Sequence, residues 1–370
     1  MTVGSGSRAG SSGPGAATAS SEGGAVLDPS LLPPAVCVLG LGLIGGSVLR
    51  SAGAHTEVFG WSPTERTRGL AAADGHAVVD ELDAALERAR STDALTVLAG
   101  PLTTFESVLR RVDAVAPTLA LTDVGSVKAP VEALVAEHAP HARFVGSHPM
   151  AGTAESGWAA GSATLLHGAR WVTTLTEDTD LAVWAAVTQL ALGMGCVVVP
   201  AEAEAHDAAV ARVSHLPHLL ALALAQVGAS GGQAPAALAL SLAASSFRDG
   251  TRVAGTRPEL IRAMCEGNRE ALLDALDDAL GILGVARGSL ASTGSLAKLV
   301  AAGHEGREHL DHRTDGLGRV LLRGDDLVDQ LLAIGAAGGH VDGLRRDPDA
   351  AGSGSGQPIG LQVSGWFPED

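Results

Sequence analysis

Cysteine is scarce in this sequence, and the three cysteines form no pattern. Cys37, Cys196 and Cys265 are far apart, odd in number and without a CxxC pair. This spacing argues against both a disulfide framework and a cysteine metal site. We therefore expect a reducing, cytoplasmic compartment.

Lysine is also scarce, and positive charge never gathers in a run. The chain has two lysines, Lys128 and Lys298, no tyrosine and a formal net charge of -16. Such a field repels phosphate backbones and anionic lipid surfaces, so we expect neither nucleic acid nor a membrane as partner. A small anionic substrate would need locally placed arginines.

Signal features and long apolar runs are missing as well. Residues 1–34 are rich in Gly, Ser, Ala and Pro without a basic start or an apolar core, which predicts a disordered leader. The most apolar stretch, residues 216–229, is interrupted by His218 and is too short to span a bilayer. It predicts a buried helix.

Strands and helices alternate from residue 35 to residue 200. Strand candidates follow the first one, which starts at Ala35, at residues 56–61, 94–100, 119–125, 142–148, 169–175 and 195–200. This alternation predicts an α/β Rossmann domain with a doubly wound, mostly parallel sheet. We expect the last two strands to extend that sheet.

The pattern changes after Pro200. Residues 201–303 are Ala- and Leu-rich helical segments with more apolar faces than one layer would cover, which predicts an all-α domain that dimerises. Residues 316–368 return to a strand, helix, strand, strand pattern, which is typical of a small regulatory α+β module.

A glycine-rich turn follows the first strand and opens a helix. The stretch GLGLIG has the GxGxxG spacing, in which the glycines permit a tight turn, close approach of a pyrophosphate and close helix packing. We predict that it binds a dinucleotide through Gly40, Leu41, Gly42, Leu43, Ile44 and Gly45.

The end of the second strand bears on which dinucleotide binds. Ser62 stands where an Asp or Glu would hold the ribose hydroxyls of NAD. Ser62 and Arg66 could instead hydrogen-bond a 2'-phosphate, which favours NADP+. The alternative is that Arg66 and Arg68 are solvated and that the site takes either form of NAD(P)+.

Polar residues follow two later strands of the same domain. The stretches TDVGSVK and SHPMAGTAES place Ser126, Lys128 and His148 beyond strand ends, where doubly wound folds bind ligands. A histidine can accept the proton of a hydroxyl as hydride leaves its carbon. We predict His148 as the base, Ser126 as a hydrogen-bonding group that orients it, and Lys128 as a substrate contact.

The helical domain supplies histidines and arginines. His215 and His218 share a helix face, with His206 and Asp207 nearby. We predict the histidines as substrate contacts, with core histidines capped by backbone as the alternative, in preference to a zinc site, since only short ligand spacing is visible. Arg248, Arg252 and Arg257 lie within ten residues and could anchor a carboxylate, or could neutralise nearby acids.

Five motifs, in order and spacing, resemble the prephenate and arogenate dehydrogenases of tyrosine biosynthesis. The motifs are VLGLGLIGGS, TDVGSVK, SHPMAGTAESG, HDAAVARVSHLPH and SFRDGTRVAGTRPEL, and the likeness covers residues 35–303. It implies a Rossmann domain, a helical dimerisation domain and oxidative decarboxylation of a cyclohexadienol with reduction of NAD(P)+.

The resemblance also implies roles for single residues. His148 resembles the catalytic histidine and Ser126 its helper, and Arg252 resembles the arginine that binds the ring carboxylate. The positions that resemble substrate-pocket residues are His206, His215, His218 and Arg248.

The chain also departs from the family's pattern. Ala154 stands where some members have a glutamate, with Glu155 one residue later, and residues 316–368 resemble only part of an ACT module. The choice between prephenate and arogenate stays open. Two other classes of protein remain as alternatives: a β-hydroxyacid dehydrogenase, although no motif surrounds Lys298, and a sensor that binds NAD(P) without catalysis.

Overall fold

The computed structural model describes residues 27–153, 155–230, 235–347 and 360–368. The strands are Ala35–Leu39 (β1), Glu57–Trp61 (β2), Leu95–Leu98 (β3), Ala120–Asp123 (β4), Arg143–Val145 (β5), Ser147–Pro149 (β6), Arg170–Thr174 (β7), Val197–Ala201 (β8), Leu317–Leu322 (β9), His340–Arg346 (β10) and Leu361–Pro368 (β11).

The helices of the first half are Leu43–Ala52 (α1), Glu65–Ala73 (α2), Leu82–Ser91 (α3), Phe105–Val115 (α4), Ala129–His138 (α5) and Leu181–Gly193 (α6). Those of the second half are Ala203–Val210 (α7), Leu216–Ser230 (α8), Ala236–Ser241 (α9), Ser245–Thr251 (α10), Pro258–Gly267 (α11), Arg269–Ser292 (α12), Ala297–Asp311 (α13) and Leu327–Ala336 (α14). A π-helical turn, Ala211–His215, joins α7 to α8.

The first sheet is parallel, as predicted, and has the order β2-β1-β3-β4-β5. Both of its faces are covered: Val36 and Val38 of β1 face one apolar cluster, and Cys37 and Leu39 face another. Burial on both faces explains why the strand is continuously apolar. The order reverses between β1 and β3, so a crevice is expected beyond the carboxyl ends of these two strands.

A second sheet corrects the expectation that the later strands extend the first. Its order is β6-β7-β8-β10-β11-β9, and β6 begins two residues after β5 ends. The change of sheet occurs at Gly146, where an added Cβ would lie 2.5 Å from the Thr174 hydroxyl oxygen. The absence of a side chain there lets the chain pass directly from one sheet into the next.

The C-terminal segment has the predicted strand, helix, strand, strand order but is not a separate module. Val341 of β10 pairs with Val198 of β8, and α14 packs so closely on β8 that a Cβ on Gly335 would lie 1.7 Å from the Pro200 carbonyl oxygen. The segment therefore completes the second sheet. Its likeness to an ACT module stays a prediction.

The predicted disordered leader, residues 1–34, overlaps the described residues at its C-terminal end. Residues 1–26 lie outside them, but residues 27–34 are ordered against the domain, contrary to the prediction. Leu31 is buried in the core, and the Asp28 carbonyl oxygen accepts a hydrogen bond from Gln189 Nε2 at 2.9 Å.

The apolar stretch near His218 forms a longer and less buried helix than expected. Residues 203–230 are one continuous helix of 28 residues with mean hydropathy 1.4, long and apolar enough by these two measures to cross a membrane. The expectation that this stretch is too short was therefore wrong. In α8 only Ala221 is buried, so the predicted buried helix presents its apolar side chains outward in the single chain.

The helical domain extends to Asp311, beyond the predicted end at residue 303. Its own core is small, and large apolar side chains stay exposed, among them Leu280, Ile282, Leu283 and Val285 of α12. A surface of this kind marks an interaction site.

Candidate active site

The glycine turn after β1 has the geometry of a phosphate cradle. Gly40 has φ +113°, in the region that favours glycine, and a Cβ on Gly45 would lie 1.9 Å from the Gly40 carbonyl oxygen. A Cβ on Gly42, in contrast, would meet nothing within 4 Å. Gly42 therefore leaves open space at the N-terminus of α1, where a pyrophosphate fits.

One cavity runs from this turn toward the end of β2. It has a volume of about 430 Å³ and is lined by Gly40, Leu41, Gly42, Ser62 and Thr64 among others. Arg66 is exposed on the first turn of α2, whereas Arg68 donates a hydrogen bond to the Ser62 carbonyl oxygen at 2.8 Å. Ser62 thus lies where the adenosine ribose of a dinucleotide is expected.

A second cavity, of about 390 Å³, opens on the other side of Gly42. It brings together the predicted base and its helper, His148 and Ser126, with Leu43 and Ile44 of the turn. Arg257 and Glu155 line it as well. Both cavities share Gly42 and Gly100 at the crevice between β1 and β3, so a ligand can extend from one into the other.

His148 lies in the short strand β6, at the end of the strand candidate 142–148. It pairs with Val172 of β7, which fixes its backbone. Its Nδ1 atom lies 2.9 Å from His206 Nε2, and His206 Nδ1 lies 2.8 Å from Asp207 Oδ1. The predicted orienting hydroxyl of Ser126 makes no hydrogen bond to the imidazole among the described residues, and His206 orients the ring instead.

The tautomers of the two histidines follow from the Asp207 carboxylate. Because a carboxylate only accepts, His206 Nδ1 donates to Asp207, and in the tautomer with its single proton on Nδ1 the Nε2 atom presents a lone pair. His148 Nδ1 must therefore donate to it. This leaves His148 Nε2 without a proton, and no described residue hydrogen-bonds that atom.

Burial keeps this base neutral. It holds the pKa of His148 well below the ordinary value of 6.5, with smaller contributions from His206, Lys128 and His215. A neutral imidazole can accept a proton at neutral pH, as a general base must.

Asp207 is itself held from several sides. Its carboxylate accepts hydrogen bonds from the backbone N–H groups of Lys128 at 2.8 Å and Ala129 at 3.0 Å, at the start of α5. Its carbonyl oxygen accepts one from Asn268 Nδ2 at 2.7 Å. The sequence predicts no role for Asp207 or Asn268, although the HD dipeptide of the helical motif is a signal for Asp207.

Lys128 is not a substrate contact, which corrects the prediction. Its side chain is fully buried; its ammonium pairs closely with the Asp123 carboxylate and donates to the Ser147 carbonyl oxygen at 2.7 Å. Asp123 also accepts from the backbone N–H of Ser147 at 3.0 Å and of Gly125 at 2.8 Å. The pair ties β4 to β6 and so positions His148.

The remaining histidines lie close to this group. His215 is buried in the π-helical turn, a feature frequent at functional sites, with Nδ1 3.1 Å from Asn268 Nδ2. Burial lowers the pKa of His215 to about 4. His218 hydrogen-bonds the Ser214 carbonyl oxygen at 2.8 Å. Among the described residues, no three potential ligands converge as a metal site would require.

The three arginines separate in the structure. Arg257, at the start of α11, lines the cavity of His148, whereas Arg248 on α10 and Arg252 in the following 3-10 turn are exposed and do not. Glu155 lines the same cavity, and Ala154 lies outside the described residues.

A doubly wound sheet with an open glycine turn beside a neutral histidine defines the class: an NAD(P)-dependent oxidoreductase. Two family models match the chain, the nucleotide-binding domain of prephenate dehydrogenase over residues 45–200 and the dimerization domain of prephenate dehydrogenase over residues 202–287. The chain belongs to the prephenate dehydrogenase family. Neither match extends into the C-terminal segment.

Individual relatives agree with this assignment. The cyclohexadienyl dehydrogenase of Zymomonas mobilis is 31% identical over 70% of this chain and 88% of its own length. A candidate prephenate dehydrogenase of Corynebacterium glutamicum has a similar structure, with 46% identity, a TM-score of 0.72 and coverage of 76% of this chain and 89% of its own. The arogenate dehydrogenase of Synechocystis has 30% identity, a TM-score of 0.63 and coverage of 75% and 99%.

Proposed function

We propose that this chain is a prephenate dehydrogenase, which converts prephenate to 4-hydroxyphenylpyruvate and carbon dioxide with reduction of NAD(P)+. The observation that carries the proposal is His148, oriented by a contact of 2.9 Å from its Nδ1 to His206 Nε2, in a cavity that begins at the open glycine turn. A sensor of NAD(P) would need no such base.

The glycine turn and its flanks would hold the cofactor. Gly40, Gly42 and Gly45 form the cradle for the pyrophosphate, and Ser62 lines the cavity of about 430 Å³ where the adenosine would lie. When bound, NAD(P)+ supplies the hydride acceptor. We favour NADP+ because Ser62 places no carboxylate against a 2'-phosphate and Arg66 is exposed nearby.

His148 performs the proton transfer. Its Nε2 takes the proton of the 4-hydroxyl group as hydride leaves the same carbon, and the positive charge formed on the ring is stabilised through His206 and Asp207. Loss of carbon dioxide then makes the ring aromatic. The same imidazolium returns its proton to the phenolate oxygen, so the step balances.

A cation is needed to hold the ring carboxylate until decarboxylation. Arg257 lines the cavity and is our choice for this role in the single chain, while the family resemblance points to Arg252. The variants Arg257→Gln and Arg252→Gln distinguish the two candidates. The variant that loses the carboxylate anchor should show a raised KM for the substrate.

Arogenate is the second candidate substrate. It carries an amino group where prephenate carries a keto group, and the Glu155 carboxylate in the cavity wall offers a partner for an ammonium ion. The similarity to the Synechocystis arogenate dehydrogenase supports the same alternative.

The proposal includes a cytoplasmic homodimer. Its interface is the exposed apolar surface of the helical domain, including the helix of residues 203–230, which we expect to pack on a second copy and not on lipid. The three free cysteines are buried, in keeping with a reducing compartment. The net charge of -16 argues against nucleic acid as a partner.

His148→Asn tests the proposed role of the base. We expect kcat to fall by about 100-fold or more, the range for loss of a general base, while the Kd of NADP+ stays unchanged. Unchanged turnover in the folded variant would contradict the proposal.

A further inference from the structure

A third cavity lies behind the catalytic histidines and belongs to neither part of the proposed active site. It has a volume of about 780 Å³ and lies between the second sheet, α7 and one face of α14. Its apolar wall includes Val172, Val199, Val210, Leu332, Ala205 and Ala209. Residues of α14 come from the C-terminal segment, which neither family match covers.

The cavity lining contains one guanidinium group, that of Arg170, and one carboxylate, that of the exposed Glu202, and the two side chains form no ion pair. Arg170 is half-buried at the start of β7, and its backbone is fixed by a hydrogen bond from Met150 N to its carbonyl oxygen at 2.8 Å. Across the described ranges no acceptor lies within hydrogen-bond or ion-pair distance of its side chain. Burial, and then the like charge of Arg313, lowers the pKa of Arg170.

A neighbouring histidine is also incompletely paired. His340, at the start of β10, lies within electrostatic reach of Arg170, and its buried Nδ1 atom has no hydrogen-bond partner among the described residues. Burial and then Arg170 lower the pKa of His340, so the positive charge at this end of the cavity comes from Arg170, with Arg313 within electrostatic reach. An unpaired, partly desolvated guanidinium is costly, and a carboxylate would stabilise it through bidentate hydrogen bonds.

We propose that this cavity binds a small carboxylate with an apolar body, the carboxylate on Arg170 and the body between β7, β8, α7 and α14. Charge complementarity selects the anion, and the valine, alanine and leucine side chains select an apolar remainder. His206 lines the cavity from α7. If the bound carboxylate changes turnover, it does so through His206, and that part of the proposal rests on the proposed function. Binding of the carboxylate does not depend on the proposed function.

Titration calorimetry of the assembled protein with 3-phenylpropanoate tests the site without any turnover. Two variants probe it: Arg170→Gln removes the cation, and Ala333→Phe fills the cavity from an exposed position of α14, outside the proposed dimer interface. Arg257→Gln is the matched control, because it removes the cation of the other cavity. The neutral 3-phenylpropan-1-ol controls for apolar binding alone.

We expect a saturable site whose Kd rises about 10-fold or more in Arg170→Gln and in Ala333→Phe but not in Arg257→Gln. Equal affinity in Arg170→Gln, or loss only in Arg257→Gln, would overturn the proposal. Absence of saturable binding would overturn it too. Normal turnover of prephenate without binding of 3-phenylpropanoate would leave the proposed function intact. Failure of this proposal can therefore be distinguished from failure of the proposed function.

Discussion

The Nε2 atom of His206 lies 2.9 Å from the Nδ1 atom of His148, although the two residues are 58 positions apart and belong to different domains. The contact fixes the direction of the His148 imidazole, the proposed base, because His206 is itself oriented by Asp207. A residue of the helical domain therefore orients the proposed base, which belongs to the nucleotide-binding domain.

Replacing His206 should reduce catalysis without affecting cofactor binding. His206→Leu removes the acceptor for His148 Nδ1–H, and we expect kcat to fall by about 100-fold, comparable with loss of the base. His206→Gln keeps a carbonyl oxygen that can accept this hydrogen bond, so it should retain more activity. Equal kcat for the leucine and glutamine variants would show that the hydrogen bond has no role.

Replacing two glycines of the same turn by alanine should have different effects, one on cofactor affinity and the other on folding stability. Gly42→Ala points a methyl group into open space, so the free energy of unfolding should be unchanged while the Kd of NADP+ rises about 10-fold. Gly45→Ala places Cβ 1.9 Å from the Gly40 carbonyl oxygen and should destabilise the fold by about 1–3 kcal/mol. Denaturant unfolding and cofactor titration measure both, and tight cofactor binding by Gly42→Ala would refute the cradle.

Lys128 should be required for folding stability and not for substrate affinity. Lys128→Met leaves the buried Asp123 carboxylate without its ammonium partner and should lower the free energy of unfolding by about 3 kcal/mol. Lys298→Met removes the other, exposed lysine and is the control. A Lys128→Met enzyme of normal stability with a raised KM would restore the substrate-contact prediction.

His215 should make stability depend on pH. Its folded pKa of about 4 lies below the unfolded value of 6.5, so the unfolded chain takes up a proton first as the pH falls. The contribution is fully present above pH 6.5 and is lost as the pH falls to 4, up to about 3 kcal/mol. Urea unfolding at several pH values should show this slope in wild type and in His304→Gln, whose histidine is exposed, but a smaller slope in His215→Leu.

The sequence predicts the features that depend on local residue patterns, but not the contacts between segments that lie far apart in the chain. The parallel sheet and the glycine turn follow from apolar runs and glycine spacing, and His148 from its position after a strand. The second sheet depends on pairs such as Val198 with Val341, which lie far apart in the chain and have no local signal. Lys128 looked like a free cation because its buried partner, Asp123, is recognised only once β4 and β6 are adjacent.

The proposed dehydrogenase activity is measured by following the absorbance of reduced nicotinamide while the purified protein is offered prephenate or arogenate, each with NAD+ or NADP+. We expect turnover with prephenate, fastest with NADP+. Turnover with arogenate alone would assign the second candidate substrate, and turnover with NAD+ alone would correct the cofactor. No turnover in any combination, with the cofactor bound, would contradict the account.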